Sequence, residues 1–520
     1  MSDAEDYDRT LPEIDVSIGD LSTLSGQAWN ALIGANNPPR LFRRGKCVRL
    51  ELDDYGAPVI RELILDRLRY EAARSARWFK NVGNGGRVKA KPPKEVIADM
   101  LATPNPPLPV LARIVETPVF AADETLVTRP GYHPGSGLYL APYSDNSTFE
   151  FLAHPTAVDL QNAADLIREL LTDFPFVSEA DRAHAVALLV AVFARDLIQG
   201  PTPNHVVEAP CPGSGKGLLA EVVLLPAVGR HLGMIPQTRD DEELRKRLTA
   251  RLREGQTVSV LDNLTRPLES AALATALTAE RWEDRLLGRS ETLALPIRTI
   301  WVTTANNPVL SMELARRSVR IRLDPKLDRP WLRNGFRHPD LREWAVSHRA
   351  DLIKAAIVLV QAWLKAGRPV PQAPPLGSFE SWSRVIGGIV EYAGFKDFLG
   401  NVLAFYETAD GEGVAWRAFI EEWWTAHSDN PVCTKDLFPI AETIDGLPLG
   451  KSATERGQRT ALGQLLRKSR DRVVGGCRIE SAGSASNAQL WRLRRCDSSS
   501  NIAGSNAPEV DVDEVAHGVH

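Results

Sequence analysis

Four short stretches concentrate the residues that could do chemistry. APCPGSGKG (Ala209–Gly217) sets two glycines and a lysine between an apolar run, HVVEA (His205–Ala209), and a segment of helical character, LLAEVVLLPAV (Leu218–Val228). Gly213 and Gly215 let the backbone turn its N–H groups toward phosphate oxygens, the helix start adds positive potential, and Lys216 can reach the terminal phosphates. The stretch Pro212, Gly213, Ser214, Gly215, Lys216, Gly217 and Leu218 is therefore expected to cradle a nucleotide. TVSVLDNL (Thr257–Leu264) is an apolar strand that ends in an acid, and Asp262 there would hold Mg2+ once Lys216 has placed the phosphates; alone it would read as a core strand meeting a turn. TIWVTTANN (Thr299–Asn307) is a second buried-type strand, ending in amides that could orient an attacking water. ELARRSVRIRLD (Glu313–Asp324) packs Arg316, Arg317, Arg320 and Arg322 into seven positions, enough positive charge to complete a neighbouring subunit's phosphoryl-transfer site, though a solvated basic turn would share the pattern.

The order of phosphate loop, acidic strand, Asn-terminated strand and arginine cluster resembles the AAA+ ATPases. Within them it is most similar to the superfamily 3 and minichromosome-maintenance-like helicases encoded by phages, plasmids and integrated mobile elements. The resemblance spans residues 200 to 325. It implies ATP as the nucleotide with Mg2+, Lys216 as the Walker A lysine, Asp262 as the Walker B aspartate, Asn306 as the sensor-1 asparagine, and Arg316 or Arg317 as the arginine finger. Three positions depart from the pattern: Pro210 stands at the first glycine, Gly217 lacks the hydroxyl that normally holds magnesium, and Asn263 occupies the place of a catalytic Glu in many AAA+ proteins. The group that activates water is left without an assignment.

Between the acidic and Asn-terminated strands lies WEDRLLGRSETLALP (Trp282–Pro296), whose Gly288-Arg289-Ser290 suits a hairpin tip between β-compatible flanks. In the helicases named above a hairpin at this place projects into a central pore, and Arg289 fits its basic tip; an ordinary surface turn would share the pattern.

These residues must be positioned by a chain of 520 residues, which at roughly 150 per domain suggests three or four domains. The hydrophobic share of 43% and charged share of 25% are those of an ordinary soluble chain. Five scattered cysteines form no CxxC pair, the start MSDAEDYDR is acidic, and no apolar run reaches about 18 residues. The expectation is a cytoplasmic protein with no membrane association.

The expected fold class is α/β, with an AAA+ P-loop core, a helical lid, a mixed α+β N-terminal domain and a C-terminal winged helix-turn-helix. Residues 1–145 form the N-terminal domain. From Arg61 to Lys94 it holds ten Lys/Arg against three acids, read as a helix and a flexible basic loop (Asn81–Lys91) that would either contact nucleic acid or present a solvated face. Residues 146–200 read as a helical connector, 201–325 as the ATPase core and 326–428 as the lid. The lid includes a helix broken near Gly387-Gly388, a sensor-2 candidate in Arg384, and tryptophans at 363, 382, 416, 423 and 424 assigned to the core.

Residues 429–495 read as helix, helix, strand, loop, strand, which resembles a winged helix. From Lys451 to Arg495 there are eleven Lys/Arg against three acids, the footprint of a DNA-binding module through Arg456, Arg459, Lys468 and Arg478, with a protein-interaction winged helix as the alternative. Residues 496–520 read as a disordered acidic tail. Two functions fit: an ATP-driven DNA helicase or translocase acting as a homo-oligomeric ring, a hexamer, for replication of a mobile element or phage, or a DNA-binding initiator or regulator that hydrolyses ATP without unwinding. Without an acidic metal cluster for nucleotide polymerisation, any priming would need a separate primase or polymerase.

Overall fold

Runs of apolar residues without polar alternation make strands that are buried on both faces, and helices must then cover them. The computed structural model describes residues 11–141, 150–285, 292–409, 411–449, 454–485 and 488–496. The chain divides into two units, residues 1–409 and 410–520.

In the first unit, helices α1 (Ala157–Leu170) and α2 (Glu179–Phe193) each begin with a reciprocal capping box, Thr156 with Asp159 and Ser178 with Asp181. A mixed α/β layer follows: β1 (Asn204–Ala209), α3 (Lys216–Val228), β2 (Met234–Pro236), α4 (Asp241–Glu254), β3 (Val258–Leu264), a hairpin of β4 (Arg281–Arg285) and β5 (Thr292–Pro296), then β6 (Ile300–Asn306) and β7 (Ser318–Arg322). Strands β2, β3, β6, β1 and β7 lie in that order in one parallel sheet. Their register sets Ala209 at the end of β1 beside Asn306 at the end of β6. One core packs α2, α3 and α5 (Arg349–Lys365) against the sheet; Val207, Val223, Val302 and Leu359 in it are fully or almost fully buried.

Three local expectations are corrected. The basic loop expected over Asn81–Lys91 is instead half of an antiparallel ribbon: Arg77–Val82 pairs with Gly86–Lys89, Phe79 opposite Lys89, across a turn at Gly83–Gly85. The break expected at Gly387-Gly388 is a turn of π-helix, Ser383–Gly387, followed without interruption by helix Gly388–Tyr392. Those glycines serve close approach: a Cβ on Gly387 would meet Phe398 Cε1 at 2.5 Å, and one on Gly388 would meet the Pro369 carbonyl at 2.6 Å. The last two arginines of the Glu313–Asp324 cluster are not part of a solvated turn: both lie on strand β7, Arg320 buried and Arg322 paired with Glu208.

In the second unit α6 (Gly411–His427), α7 (Thr434–Thr443) and α8 (Glu455–Lys468) pack with strands that include β8 (Cys477–Ala485) and β9 (Ala488–Arg495), paired antiparallel. Trp416, Phe419 and Trp423 of α6 share one core with Leu437, Leu462, Leu466, Ile479 and Trp491. The division thus falls before α6, not at residue 428 as read from sequence, because the indoles of α6 are buried by the helices and strands that follow it. Trp363, Trp382, Trp416 and Trp423 are buried, while Trp424 is partly covered with Arg495 over its ring at 4.7 Å. No described helix is long and apolar enough to cross a membrane.

Candidate active site

The loop between β1 and α3 is shaped by its glycines. Gly213 (φ 77°) and Gly215 (φ 93°) take left-handed backbone, and Gly215 is the N-cap of α3. A Cβ on Gly213 would meet Trp331 Cε3 at 3.2 Å, so this glycine also lets an indole lie against the loop. Ser214 Oγ donates to the Cys211 carbonyl at 2.7 Å and ties the loop to itself.

Lys216 opens α3 and points along the ends of the strands. Its Nζ donates to Asn306 Oδ1 at 2.6 Å and to the Cys211 carbonyl at 3.3 Å. Burial lowers its pKa, offset in part by Cys211 and the Asp262 carboxylate. The parallel register explains the meeting: β1 and β6 end level, so the first helical residue after β1 faces the last residue of β6.

Asp262 and Asn263 lie where β3 departs from regular pairing. Asn263 takes φ 52°, and the register with β6 shifts between Leu261 and Leu264; asparagine tolerates that conformation better than most residues. Thr304 of β6 locks the bend from both sides, donating to Asp262 Oδ1 at 2.6 Å and accepting from the Asn263 N–H at 2.8 Å. Among the described residues the other Asp262 oxygen has no hydrogen bond, and Asp262 lines a cavity.

Two cavities share the loop Gly213–Gly215. One, about 310 Å³, is lined by Pro212–Gly217, Asp262, Asn263, Thr304 and Asn306, and its walls are largely polar. The other, about 220 Å³, is lined by Phe174, Leu218, Trp331, Phe336, His338 and Leu341 among others. Trp331 is 62% exposed, an unusual state for an indole that lines a cavity. Sequence reading missed Thr304, Phe174 and Trp331. A signal existed for Trp331, a tryptophan in a Pro-rich stretch between Pro325 and Pro339, too short of apolar residues to be core.

The remaining candidates are not all gathered here. Arg316 is exposed, whereas Arg317 is ion-paired with Glu313. Farther along, Arg322 pairs with Glu208 at 2.5 Å and donates to Asn307 at 3.0 Å. Arg384 is exposed on the turn beside Trp382, which stacks edge-on with His205 near the start of β1. The loop follows the other end of that strand, so Arg384 is removed from a sensor-2 position. Arg289 lies outside the described residues; its flanks β4 and β5 pair from Arg281–Pro296 to Arg285–Thr292.

On α8 of the second unit, Arg456 and Lys468 are exposed, Arg459 faces Glu455 at 3.3 Å, and Arg478 on β8 lies 3.6 Å from Asp471. With Leu462 and Leu466 buried, helical spacing sets Arg456, Thr460, Gln464, Arg467 and Lys468 on the open side. Arg467 is the member of that face absent from the sequence-based set.

No protein-family model matches the chain, and no curated protein matches it in sequence. Among solved structures it is similar to the C-terminal region of NrS-1, at 10% identity over 89% of this chain and 98% of that one, with a TM-score of 0.39. It is also similar to SCCmec type IV Cch, described as an active helicase, at 12% identity over 87% of this chain and 91% of that one, TM-score 0.35. A third similarity, to JCV helicase, has 13% identity over 48% of this chain and 74% of that one, TM-score 0.21.

Proposed function

We propose that the chain is an ATP-dependent DNA motor that acts as a homo-oligomeric ring. The observation that carries this reading is the pair of cavities joined at one glycine loop. A nucleoside triphosphate has the same two-part chemistry, an anionic chain for the side with Lys216 and a flat base for the side with Phe174 and Trp331.

In this reading the backbone N–H groups of Gly213–Gly217 and the start of α3 receive the phosphates. Lys216 exchanges its bond to Asn306 for the β- and γ-phosphates, and Asn306, released, orients the attacking water. Thr304 holds Asp262 so that one carboxylate oxygen stays open. That open oxygen fits Mg2+, which needs few protein ligands because phosphates and water supply the others; bound there, the ion would neutralise phosphate charge. Arg316, exposed and without an ion pair among the described residues, is the finger offered to a neighbouring subunit, and Arg317 is its internal support. The open face of α8, with Arg456 and Lys468, binds duplex DNA as the second helix of a winged helix does.

A second reading rests on two residues. Gly217 has no hydroxyl and Asn263 no carboxylate, as suits a DNA-binding ATPase whose nucleotide governs assembly without unwinding. Strand displacement from a forked duplex separates the two: the motor displaces a strand only with hydrolysable ATP, and the regulator hydrolyses ATP on DNA but leaves the fork intact.

A further inference from the structure

Four arginines gather where the N-terminal strands meet the nucleotide-binding layer. Arg44 ends strand Leu41–Arg44, Arg113 begins strand Arg113–Val115, Arg195 lies in the turn after α2, and Arg298 links β5 to β6. Arg44, Arg113 and Arg298 line one small cavity beside Gly255, Pro296 and Thr299.

Only some of their donors are used. Arg44 Nη1 donates to the Leu252 and Arg253 carbonyls at the end of α4, at 3.2 and 3.4 Å. Arg195 donates to the carbonyls of Ile198, Gly200 and Ile297 at 3.2, 3.0 and 3.3 Å. Arg113 Nη2 meets Asp196 at 2.7 Å, and among the described residues that is the one carboxylate bonded to any of the four. Nε of Arg44, Nε and Nη1 of Arg113, and Nε of Arg195 are buried without an acceptor among the described residues. Arg113 is 4% exposed, and it lines the cavity.

Buried cations with spare donors and one counter-charge are costly to hold, and an anion that enters removes the cost. The electrostatics agree. Burial, reinforced by Arg298 and Arg113, pushes Arg195 down to about 9, and burial pushes Arg44 down to about 10.

We propose that this cavity binds a phosphate-class oxyanion at the junction of the N-terminal strands with the ATPase layer. Its enclosed part is about 10 Å³, room for a single water-sized atom, so it takes one oxygen of the anion against Arg113. Arg298, which is exposed, meets the rest of the group at the mouth. The anion is either free phosphate or a backbone phosphate of a DNA strand passing the foot of the β4–β5 hairpin; the chemistry of recognition is the same. The site does not depend on the nucleotide reading.

The test uses the full chain carrying Lys216→Ala, so that inorganic phosphate does not report on the glycine loop. The unfolding midpoint is titrated with inorganic phosphate in exchange for chloride at constant ionic strength. A saturable rise is expected, with half-saturation moved at least tenfold by Arg298→Ala, an exposed change that leaves the core intact. Arg113→Lys, which keeps a charge for Asp196 but removes the spare donors, should do the same. Single-stranded oligonucleotide binding against salt then assigns the source. A slope reduced by about 0.7 in Arg298→Ala means a DNA phosphate, and an unchanged slope with a lost phosphate response means the free anion. A midpoint that follows ionic strength alone, or a phosphate titration unaltered by both substitutions, overturns the proposal.

Discussion

Thr304 carries two bonds that set the geometry of the acidic strand end, and neither partner is near it in sequence. Replacing it with valine keeps shape and β-branching but frees Asp262 and the Asn263 N–H. Turnover should fall about 10- to 100-fold, as when a supporting hydrogen bond to a metal ligand is lost, while Thr304→Ser retains most of it; equal turnover in Thr304→Val and wild type would show that the bend is held without it. Trp331 makes the complementary prediction. Its removal takes away a stacking surface worth about 1–3 kcal/mol, so Trp331→Ala should raise the ATP KM about tenfold or more with kcat little changed. An unchanged KM would remove the base from that cavity. The glycine loop, Asp262 and Asn306 were legible because each lies in one continuous stretch whose neighbours define it. Thr304 and Trp331 were not: Thr304 meets Asp262 only through the pairing of β3 with β6, about 40 residues apart, and Trp331 meets Gly213 only because the segment after β7 folds back over the loop, about 115 residues on.

Among the elements, strand β1 holds a residue whose burial has a measurable consequence. His205 is fully buried, neither ring nitrogen has a hydrogen-bond partner among the described residues, and burial, with His184 nearby, pushes its pKa down to about 3. The unfolded chain takes up this proton near pH 6.5, and the folded chain refuses it until about 3. Its contribution to stability is therefore complete above pH 6.5 and is lost as pH falls toward 3, at about 1.4 kcal/mol per pH unit. His205→Leu should flatten that limb of a stability-versus-pH curve measured by denaturant unfolding, and parallel limbs in the two proteins would mean that the imidazole finds a proton acceptor in the fold. The element boundaries around β1, β3 and β6 could be read from apolar runs bounded by polar residues. The ribbon at Arg77–Lys89 could not, because a Gly-rich basic stretch has the composition of a loop and becomes a strand only through pairing. Likewise Gly387 and Gly388 read as helix breakers in isolation, and only the neighbouring Phe398, Trp363 and Pro369 show why small residues are needed.

For the whole molecule, the division after Ala409 matters more than the residue-428 boundary suggested by the Trp-rich pattern. A chain ending at residue 409 leaves the nucleotide layer complete and should retain basal ATP hydrolysis while losing duplex affinity and much of its salt dependence. A chain ending at residue 429 keeps α6 but strips the partners of Trp416, Phe419 and Trp423, and should aggregate in sedimentation experiments where the shorter chain stays dispersed. The reverse behaviour would put α6 with the first unit. In the proposed ring, mixing Lys216→Ala and Arg316→Ala subunits should restore part of the activity absent from either alone, since some interfaces then join an intact loop to an intact finger. Mixed rings that assemble yet stay inactive would place the finger elsewhere.

In the proposed function, ATP in the two-part cavity drives movement on DNA. The most direct measurement is strand displacement from a forked duplex by the full chain, with Lys216→Ala in parallel. Displacement should require hydrolysable ATP and disappear in Lys216→Ala; ATP hydrolysis on that DNA with the fork left intact would overturn the motor reading.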